Sequence, residues 1–184
     1  MTAELHTKIV AQEIAQTVDQ LNQEQLQAVV DELVAAQRLF VCGTGRSLLM
    51  MKALAMRLMH VGLAAYVVGE TVTPAIEPGD LLIAGSGSGQ TRTTLAYIQA
   101  AAAEGARTVA LTAHPDSPVA AACDLILEIP APITGALALQ ASVQPPGSRF
   151  EQCLLVVNDA VVLEVMQRLG ITVEQMRARH TKLE

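Results

Sequence analysis

An anion site is indicated by seven consecutive residues, Gly85-Ser86-Gly87-Ser88-Gly89-Gln90-Thr91, which lie between an apolar run and an alanine-rich helical pattern. Glycines let a backbone approach a ligand closely, and hydroxyl groups surround an anion with neutral hydrogen-bond donors. Because the turn has no lysine and no G-x-G-x-x-G spacing, it matches neither a Walker A loop nor a dinucleotide site. We therefore predict a cradle for the phosphate of a sugar monophosphate; a linker that only caps a helix is the alternative. The predicted ligands are Ser86, Gly87, Ser88 and Thr91.

A second polar turn, Gly43-Thr44-Gly45-Arg46-Ser47, also follows an apolar run and precedes a helical pattern. On its own it is a weak signal, because a glycine-rich turn from strand to helix is often only geometry. Two such turns at one crevice, however, can hold both ends of a small polar ligand. We expect Gly45, Arg46 and Ser47 to bind substrate. Arg46 would be the cationic partner of the phosphate, or else a surface residue at the helix start.

Short apolar runs alternate with helical patterns, and these elements must position the two turns. We predict strands at residues 38–42, 65–68, 80–84, 107–112 and 125–129. Helices are predicted at about 5–21, 26–34, 47–60, 93–104, from about 116, at 149–169 and at 173–179. This alternation favours parallel βαβ units, hence a three-layer α/β/α sandwich with a central five-stranded parallel sheet. Both turns then lie at the carboxyl ends of neighbouring strands, where open α/β sheets bind ligands.

The chain of 184 residues has the size of one domain. Hydrophobic residues make up 51% of it and aromatic residues only 2%, so the core must be aliphatic. We predict a single domain over residues 1–184, with an N-terminal helical segment at 1–36 and a C-terminal helix and tail at 172–184. Residues 130–147 are expected to be irregular.

Charge, hydropathy and cysteine content exclude several classes of protein. A net charge of −6 and the lack of a basic run interleaved with aromatic residues argue against a nucleic-acid groove. Charges interrupt every apolar run before the ~18 to 20 residues that cross a bilayer, and the charged N-terminus is unlike a secretory signal. Cys42, Cys123 and Cys153 lack metal-ligand spacing and are expected to be reduced, buried thiols. We therefore expect a cytoplasmic protein that binds no nucleic acid and no membrane.

Further motifs support one resemblance over essentially the whole chain. They are Gly43-Thr44-Gly45-Arg46-Ser47, Ala55-Met56-Arg57-Leu58-Met59-His60, Val67-Val68-Gly69-Glu70-Thr71, Thr73-Pro74-Ala75-Ile76, Pro115-Asp116-Ser117-Pro118, Pro145-Pro146-Gly147-Ser148-Arg149-Phe150-Glu151-Gln152 and Arg179-His180-Thr181-Lys182-Leu183-Glu184. With the 85–91 turn, they resemble the 6-phospho-3-hexuloisomerase family of the sugar isomerase (SIS) fold group. The turn alone would indicate only the fold group, whereas segments 57–60, 150–152 and 179–184 distinguish the hexuloisomerases.

The resemblance implies reversible interconversion of D-arabino-hex-3-ulose 6-phosphate and D-fructose 6-phosphate in the ribulose monophosphate pathway of formaldehyde fixation. It also implies functional coupling to the 3-hexulose-6-phosphate synthase that would supply the substrate. The carbonyl group moves between C3 and C2 through a cis-enediolate, so a base must carry a proton between these carbons while a donor stabilises the oxyanion. This chemistry needs no redox cofactor, and no metal site is visible in the sequence.

The resemblance makes Glu151 the candidate base, because the Glu of the family's Phe-Glu-Gln motif begins a helix and points into the sugar site. Glu151 could also be a first-turn acid favoured by the helix dipole, and the two roles are compatible. His180 is the second catalytic candidate, as an acid, ring-opening group or oxyanion donor; a solvated terminal histidine is the alternative. Glu70, just past a strand end, would bind sugar hydroxyls or is only a loop acid.

Apolar helix surface exceeds what a small sandwich must cover, which suggests a partner. The excess comes from the two N-terminal helices and from Met50, Met51, Met56 and Met59 on the next one. The resemblance implies a homotetramer, built as a dimer of dimers, in which the tail supplies His180 in trans.

Two positions depart from the family pattern, and two other functions stay open. Leu48 replaces a residue that is usually small, and it would narrow the cleft or pack on the sheet. Arg149 replaces an apolar residue, and it would assist anion binding if it faced the site.

The alternative functions are another SIS aldose-ketose isomerase, such as an arabinose 5-phosphate type, and a non-catalytic SIS sugar-phosphate sensor. A sensor can lose the base, so Glu151 and His180 together favour an enzyme.

Overall fold

The computed structural model describes residues 3–133 and 142–183. Their helices are α1 (Ala3–Val18), α2 (Gln23–Ala35), α3 (Gly45–Val61), α4 (Arg92–Ala103), α5 (Pro118–Ala121), α6 (Ser148–Leu169) and α7 (Val173–Ala178). Their strands are β1 (Leu39–Gly43), β2 (Ala65–Val67), β3 (Leu81–Gly85), β4 (Arg107–Thr112) and β5 (Leu125–Glu128). Of the irregular stretch predicted at 130–147, residues 134–141 lie outside the described residues, as does the last residue of the tail. None of the described helices combines the length and apolar content that crossing a bilayer requires.

The five strands form one parallel sheet in the order β2-β1-β3-β4-β5. From β1 the chain crosses through α3 to β2 on one side, and from β3 it crosses through α4 to β4 on the other. The strand order therefore reverses between β1 and β3, and right-handed crossovers place α3 and α4 on opposite faces of the sheet. The predicted three-layer α/β/α sandwich with a five-stranded parallel sheet is confirmed.

Each face of the sheet has its own aliphatic core, because successive side chains of a strand point to opposite faces. The larger core, shared with α2, α3 and α6, contains from the sheet Leu39, Val41, Leu81, Ile83, Val109, Leu111 and Leu127. The smaller core, shared with α4 and α5, contains from the sheet Phe40, Cys42, Leu82, Ala84 and Ala110. Strands buried on both faces explain why the sequence shows continuous apolar runs instead of alternation.

The N-terminal helices are part of the larger-core layer. α1 packs on α6, and α2 packs on both α6 and β5. α2 begins at Asn22, whose side chain accepts hydrogen bonds from the backbone N–H groups of Glu24 and Gln25. The apolar stripe of α2 is buried and consists of Leu26, Val29, Val30 and Leu33. This stripe therefore stabilises the domain itself.

All three cysteines are free thiols; Cys42 and Cys153 are buried, whereas Cys123 is only partly buried. Burial raises the pKa of Cys42 to about 12 and that of Cys123 to about 11. It also raises the pKa of Cys153. Thiols with raised pKa values stay protonated at neutral pH, so they are poor nucleophiles.

Candidate active site

The two polar turns meet because their strands are neighbours. β1 ends at Gly43 and β3 ends at Gly85, and these two residues face each other in the strand register. A Cβ atom on Gly43 would lie 2.9 Å from the Gly85 carbonyl oxygen and 3.2 Å from the backbone nitrogen of Leu48. Since this space admits no side chain, glycine allows the two turns to approach closely.

A cleft of about 290 Å³ opens where the turns meet, close to the lower end of the range for small-molecule sites. The predicted site residues that line it are Ser47, Ser86, Gly87, Ser88, Thr91 and Glu151. The other lining residues are Thr44, Gly85, Ile133, Gly147 and Phe150. Gly45 and Arg46 lie beside the cleft in the first turn of α3. The structure thus brings both turns and the start of α6 together.

Ser86 gives a strong local indication of a ligand. Its residue is 3% exposed, and its Oγ has no hydrogen-bond partner among the described residues. A buried, unpaired hydroxyl costs free energy that a ligand oxygen would recover. Ser88 Oγ accepts a hydrogen bond from the backbone N–H of Gln90 at 3.3 Å. A hydroxyl that accepts can still donate, so both serines can bind an anion.

Three helices begin at the cleft with no side-chain cap from the described residues: α3 after Thr44, α4 after Thr91 and α6 after Gly147. By contrast, α2, α5 and α7 are capped by the side chains of Asn22, Ser117 and Thr172. An uncapped helix start has unpaired N–H groups and the positive end of the helix dipole. The cleft therefore combines three partial positive charges, which favour a phosphate.

Gly87 connects the cradle to the start of α6. A Cβ atom on Gly87 would lie 2.4 Å from Ile133 Cδ1 and 2.8 Å from Phe150 Cδ1. Phe150 is 1% exposed and directly precedes Glu151 in α6. The absence of a side chain at Gly87 thus allows the Phe150 ring to pack on the cradle, which sets the distance between the hydroxyls and the Glu151 carboxylate.

The Glu151 carboxylate forms an ion pair with Arg46 across the cleft. Arg46 Nε donates a hydrogen bond to Glu151 Oε2; the Arg46 side chain is 58% exposed and that of Glu151 is 16% exposed. The backbone N–H of Glu151 donates to the Gly147 carbonyl oxygen at 3.1 Å, within the first turn of α6. A carboxylate held at a helix start, with a guanidinium beside it, can accept a proton from a ligand in the cleft.

His180 lies at the opposite end of α3 from the cleft. Its ring stacks on that of His60, with 5.2 Å between ring centroids, and Arg179 Nη1 donates to the His60 carbonyl oxygen at 3.2 Å. Burial lowers the pKa of His60, and the charges of His180 and Arg57 lower it further. Fifteen residues of α3 separate Gly45 from His60, a rise of about 22 Å. Within one protomer, the structure does not bring His180 to the cleft.

Glu70 is also placed outside the cleft lining. Its carboxylate accepts a hydrogen bond from Lys52 Nζ at 2.5 Å, and its side chain is half exposed. Exposed ion pairs of this kind contribute little to stability. In this structure Glu70 interacts with the outer face of α3.

A second cleft, of about 150 Å³, lies on the other face of the sheet between α4 and the chain that follows β2. Its lining residues are Phe40, Val68, Thr73, Pro74, Ile76, Leu82, Tyr97, Ala100 and Ala101. This lining is mostly apolar and has no charged side chain, so it offers little to a sugar phosphate.

Comparison with known proteins identifies the family. A model of the SIS domain matches residues 32–156, which contain all five strands and the residues that line the cleft. The chain belongs to the SIS domain family.

Relatives of this SIS domain protein include two 3-hexulose-6-phosphate isomerases. That of Mycobacterium gastri is 40% identical over 176 residues, which are 96% of the chain and 88% of the relative. That of Bacillus subtilis (strain 168) is 39% identical over 165 residues, 89% of each. A Methanococcus jannaschii crystal structure, from which a function of 3-hexulose-6-phosphate isomerase was inferred, superposes with a TM-score of 0.83 at 31% identity, covering 97% of the chain and 98% of that structure. The family resemblance drawn from the sequence is confirmed.

The sequence did not single out several lining residues of the SIS domain cleft. Thr44 and Phe150 belong to the quoted motifs, and their neighbours Gly45 and Glu151 carried the prediction. Gly147 follows two prolines, which is a recognisable signal for a helix start. Ile133 lies in irregular chain, and no pattern in the sequence connects it with Gly87.

The two departures from the family pattern lie outside the cleft lining. Leu48 is partly buried, and its backbone N–H donates to the Thr44 carbonyl oxygen at 3.3 Å in the first turn of α3. Arg149 is buried at 8% exposure, and its Nε donates to Thr17 Oγ1 on α1 at 2.7 Å. The expectation that Arg149 assists anion binding depended on its facing the site, and it contacts α1 instead.

Proposed function

We propose that this SIS domain protein is an isomerase that interconverts D-arabino-hex-3-ulose 6-phosphate and D-fructose 6-phosphate through a cis-enediolate. The proposal depends on one observation above all: a cradle with a buried, unpaired hydroxyl and a carboxylate on a facing helix share one cleft. Relatives named 3-hexulose-6-phosphate isomerase, at 40% and 39% identity, support this substrate over other sugar phosphates.

The phosphate of the substrate would bind at the starts of α3 and α4. The uncapped N–H groups there would provide directed donors, and hydroxyl groups would complete the shell. These hydroxyls belong to Ser47, Ser86, Ser88 and Thr91. A shell of mainly neutral donors binds the phosphate without a permanent ion pair, so the product can dissociate.

Glu151 would transfer the proton between the two carbons. Its carboxylate removes the proton from C2 of the hexulose, and the C–H electron pair forms the C2–C3 double bond while O3 takes the negative charge. A proton then moves from O2 to O3, and the Glu151 carboxyl group returns its proton to C3, which leaves the carbonyl group at C2. The atoms and electrons balance without a cofactor.

Arg46 would stabilise the oxyanion of this intermediate. Its guanidinium lies against Glu151, and the side chain is exposed enough to turn toward a bound sugar. A guanidinium there would offset the negative charge that develops on the sugar oxygen.

The proposal includes a homotetramer, a dimer of dimers, in which His180 acts in the cleft of the neighbouring protomer. One support is its place in its own protomer, about 22 Å along α3 from the cleft. A second is the set of large apolar side chains that α3 and α6 leave exposed, which are Leu49, Met56, Met59, Val156 and Leu163. A symmetric dimer with α3 and α6 at its interface would bury them.

The same proposal places the enzyme in the cytoplasm and in the ribulose monophosphate pathway of formaldehyde fixation. A 3-hexulose-6-phosphate synthase would supply its substrate there. The three free thiols among the described residues are compatible with a reducing compartment.

A coupled assay tests the proposal. The protein is incubated with 3-hexulose-6-phosphate synthase, formaldehyde and ribulose 5-phosphate, and fructose 6-phosphate is measured with and without the protein. We expect fructose 6-phosphate only when the protein is present. Conversion of arabinose 5-phosphate to ribulose 5-phosphate, with none of the first product, would favour the other isomerase. Thermal stabilisation by fructose 6-phosphate without turnover of either substrate would favour the sensor.

A further inference from the structure

Glu13 lies on α1, outside the matched SIS residues, yet it binds the segment that leads toward Glu151. Its carboxylate accepts hydrogen bonds from Ser142 Oγ at 2.7 Å, from the Val143 backbone N–H at 3.2 Å and from Gln144 Nε2 at 2.7 Å. Glu13 is 8% exposed. Three hydrogen bonds to one buried carboxylate fix the segment 142–144 against α1.

The same part of α1 also holds the first turn of α6. Arg149 Nε donates to Thr17 Oγ1 at 2.7 Å, and Thr17 Oγ1 donates to the Glu13 carbonyl oxygen at 2.9 Å. Thr17 is fully buried and Arg149 is 8% exposed. A buried cation at a helix start is opposed both by the loss of hydration and by the helix dipole, so it needs an anion nearby. The Glu13 carboxylate is close enough for the charge of Arg149 to lower its pKa.

Several groups keep Glu13 ionised. Burial raises its pKa, but hydrogen bonds from Gln144, Ser142 and the Val143 backbone, together with the charge of Arg149, lower it by more. The net pKa therefore lies below the ordinary value, so the carboxylate is charged at neutral pH.

The segment 142–144 and the first turn of α6 lie on either side of a corner at residues 145–147. The position of this corner determines where the Glu151 side chain lies in the cleft. Within the corner, the Ser148 N–H donates to the Pro145 carbonyl oxygen at 3.1 Å. The Glu151 carboxylate lies over this corner, since a Cβ atom on Gly147 would be 3.6 Å from Glu151 Oε1. A shift of the corner would therefore shift the carboxylate.

We propose that Glu13 is a positioning residue: from α1, it holds both sides of the 145–147 corner so that the Glu151 carboxylate keeps its place in the cleft. The inference rests on the proposed function, in which Glu151 is the base. It assigns a catalytic purpose to a helix that lies outside the matched SIS residues 32–156.

Hydrogen exchange of Glu13→Gln tests the anchoring without any turnover. The variant keeps the size of the side chain and removes its charge. We expect amide exchange of peptides within 142–151 to become about tenfold faster, and exchange in β1 and β3 to stay unchanged. Val165→Ala is the control, because it removes a buried side chain on α6 more than four turns from the corner. The control should lower the melting temperature without faster exchange at 142–151.

Steady-state kinetics of the same variants test the consequence for catalysis. Glu13→Gln should lower kcat about 10- to 100-fold, because a small displacement of a reacting group is costly. Its KM should stay within about twofold, since the Glu13 carboxylate binds residues 142–144 and not the phosphate cradle. Val165→Ala should change neither constant by more than about twofold. Unchanged exchange at 142–151 would overturn the anchoring, and an unchanged kcat despite faster exchange would overturn the positioning role. If the parent protein fails to isomerise the hexulose phosphate, the proposed function fails, and the exchange result alone decides whether Glu13 holds the corner.

Discussion

At the scale of single residues, the Glu151 carboxylate can be replaced by an amide of the same size that accepts no proton. Glu151→Gln should lower kcat about 10²- to 10⁴-fold, the usual contribution of a general base, with little change in KM because the phosphate contacts remain. The coupled assay for fructose 6-phosphate measures both constants. Glu104→Gln, which neutralises an exposed carboxylate just after α4, is the control and should be as active as the parent. Turnover of Glu151→Gln within a few fold of the parent would contradict the role of base.

Ser86 and Ser117 provide a matched pair of buried hydroxyls with opposite expected effects. Ser86 Oγ has no partner in the described structure, so Ser86→Ala should keep or raise the melting temperature while KM rises about tenfold. Ser117 Oγ accepts from the Ala120 N–H at the start of α5, so Ser117→Ala should cost about 1 kcal/mol of stability without changing KM. Thermal melting and steady-state kinetics distinguish the two. An unchanged KM in Ser86→Ala would remove Ser86 from the cradle.

Residues that are consecutive in the sequence could be predicted as a site, and residues paired across the fold could not. The hydroxyls of 85–91 share one turn, and the strand before it determines where that turn lies. The pairing of Arg46 with Glu151 joins positions 105 residues apart, and no periodicity encodes it. The partner of Glu70 is likewise Lys52 on α3, which the motif around Glu70 does not reveal.

At the scale of elements, the packing of α6 on the cradle predicts the effect of a methyl group at Gly87. A Cβ atom there would lie 2.4 Å from Ile133 Cδ1, and relieving such overpacking costs about 1–3 kcal/mol. Because Phe150 must also move, Gly87→Ala should lower kcat together with the melting temperature. Gly170→Ala, at the far end of α6, adds a Cβ with nothing within 4 Å but in a left-handed conformation. It should lower the melting temperature alone; equal loss of kcat in both variants would contradict a specific effect on the cleft.

Most elements could be predicted because apolar runs, glycine turns and helical spacing all indicate the same boundaries. The structure differs mainly at their ends. α3 begins at Gly45, two residues before the predicted start, so that Arg46 and Ser47 lie inside its first turn. β2 has only three residues because it is the edge strand and pairs with β1 alone. Tertiary pairing sets such limits, which local patterns do not contain.

At the scale of the whole molecule, the parallel sheet could be predicted because βαβ alternation allows few topologies. The polar contacts that α1 makes could not be predicted, because its amphipathic pattern indicates only that one face of the helix is covered. The polar contacts of Glu13 with residues 142–144 and of Thr17 with Arg149 interrupt that apolar face. They become interpretable only once their partners 129 to 132 residues away are in place.

In the proposed assembly, His180 of one protomer completes the cleft of its neighbour. Mixing two variants that are each expected to be inactive tests this. In an equal mixture of Glu151→Gln and His180→Ala protomers, half of the dimers are mixed. If His180 acts reciprocally in trans, each mixed dimer has one cleft with both native residues and one with neither. About a quarter of all clefts should therefore regain activity in the coupled assay, from one half of the dimers and one cleft in two.

The control for this mixture pairs Glu151→Gln with the double variant Glu151→Gln/His180→Ala, in which every cleft lacks the base and no activity should return. The expected recovery depends on geometry, because a protomer whose His180 lies about 22 Å along α3 from its own cleft cannot use that imidazole itself. If the tail instead refolded onto its own cleft, every site in the first mixture would lack one residue. A mixture no more active than its two components would then show that His180 does not serve the neighbouring protomer.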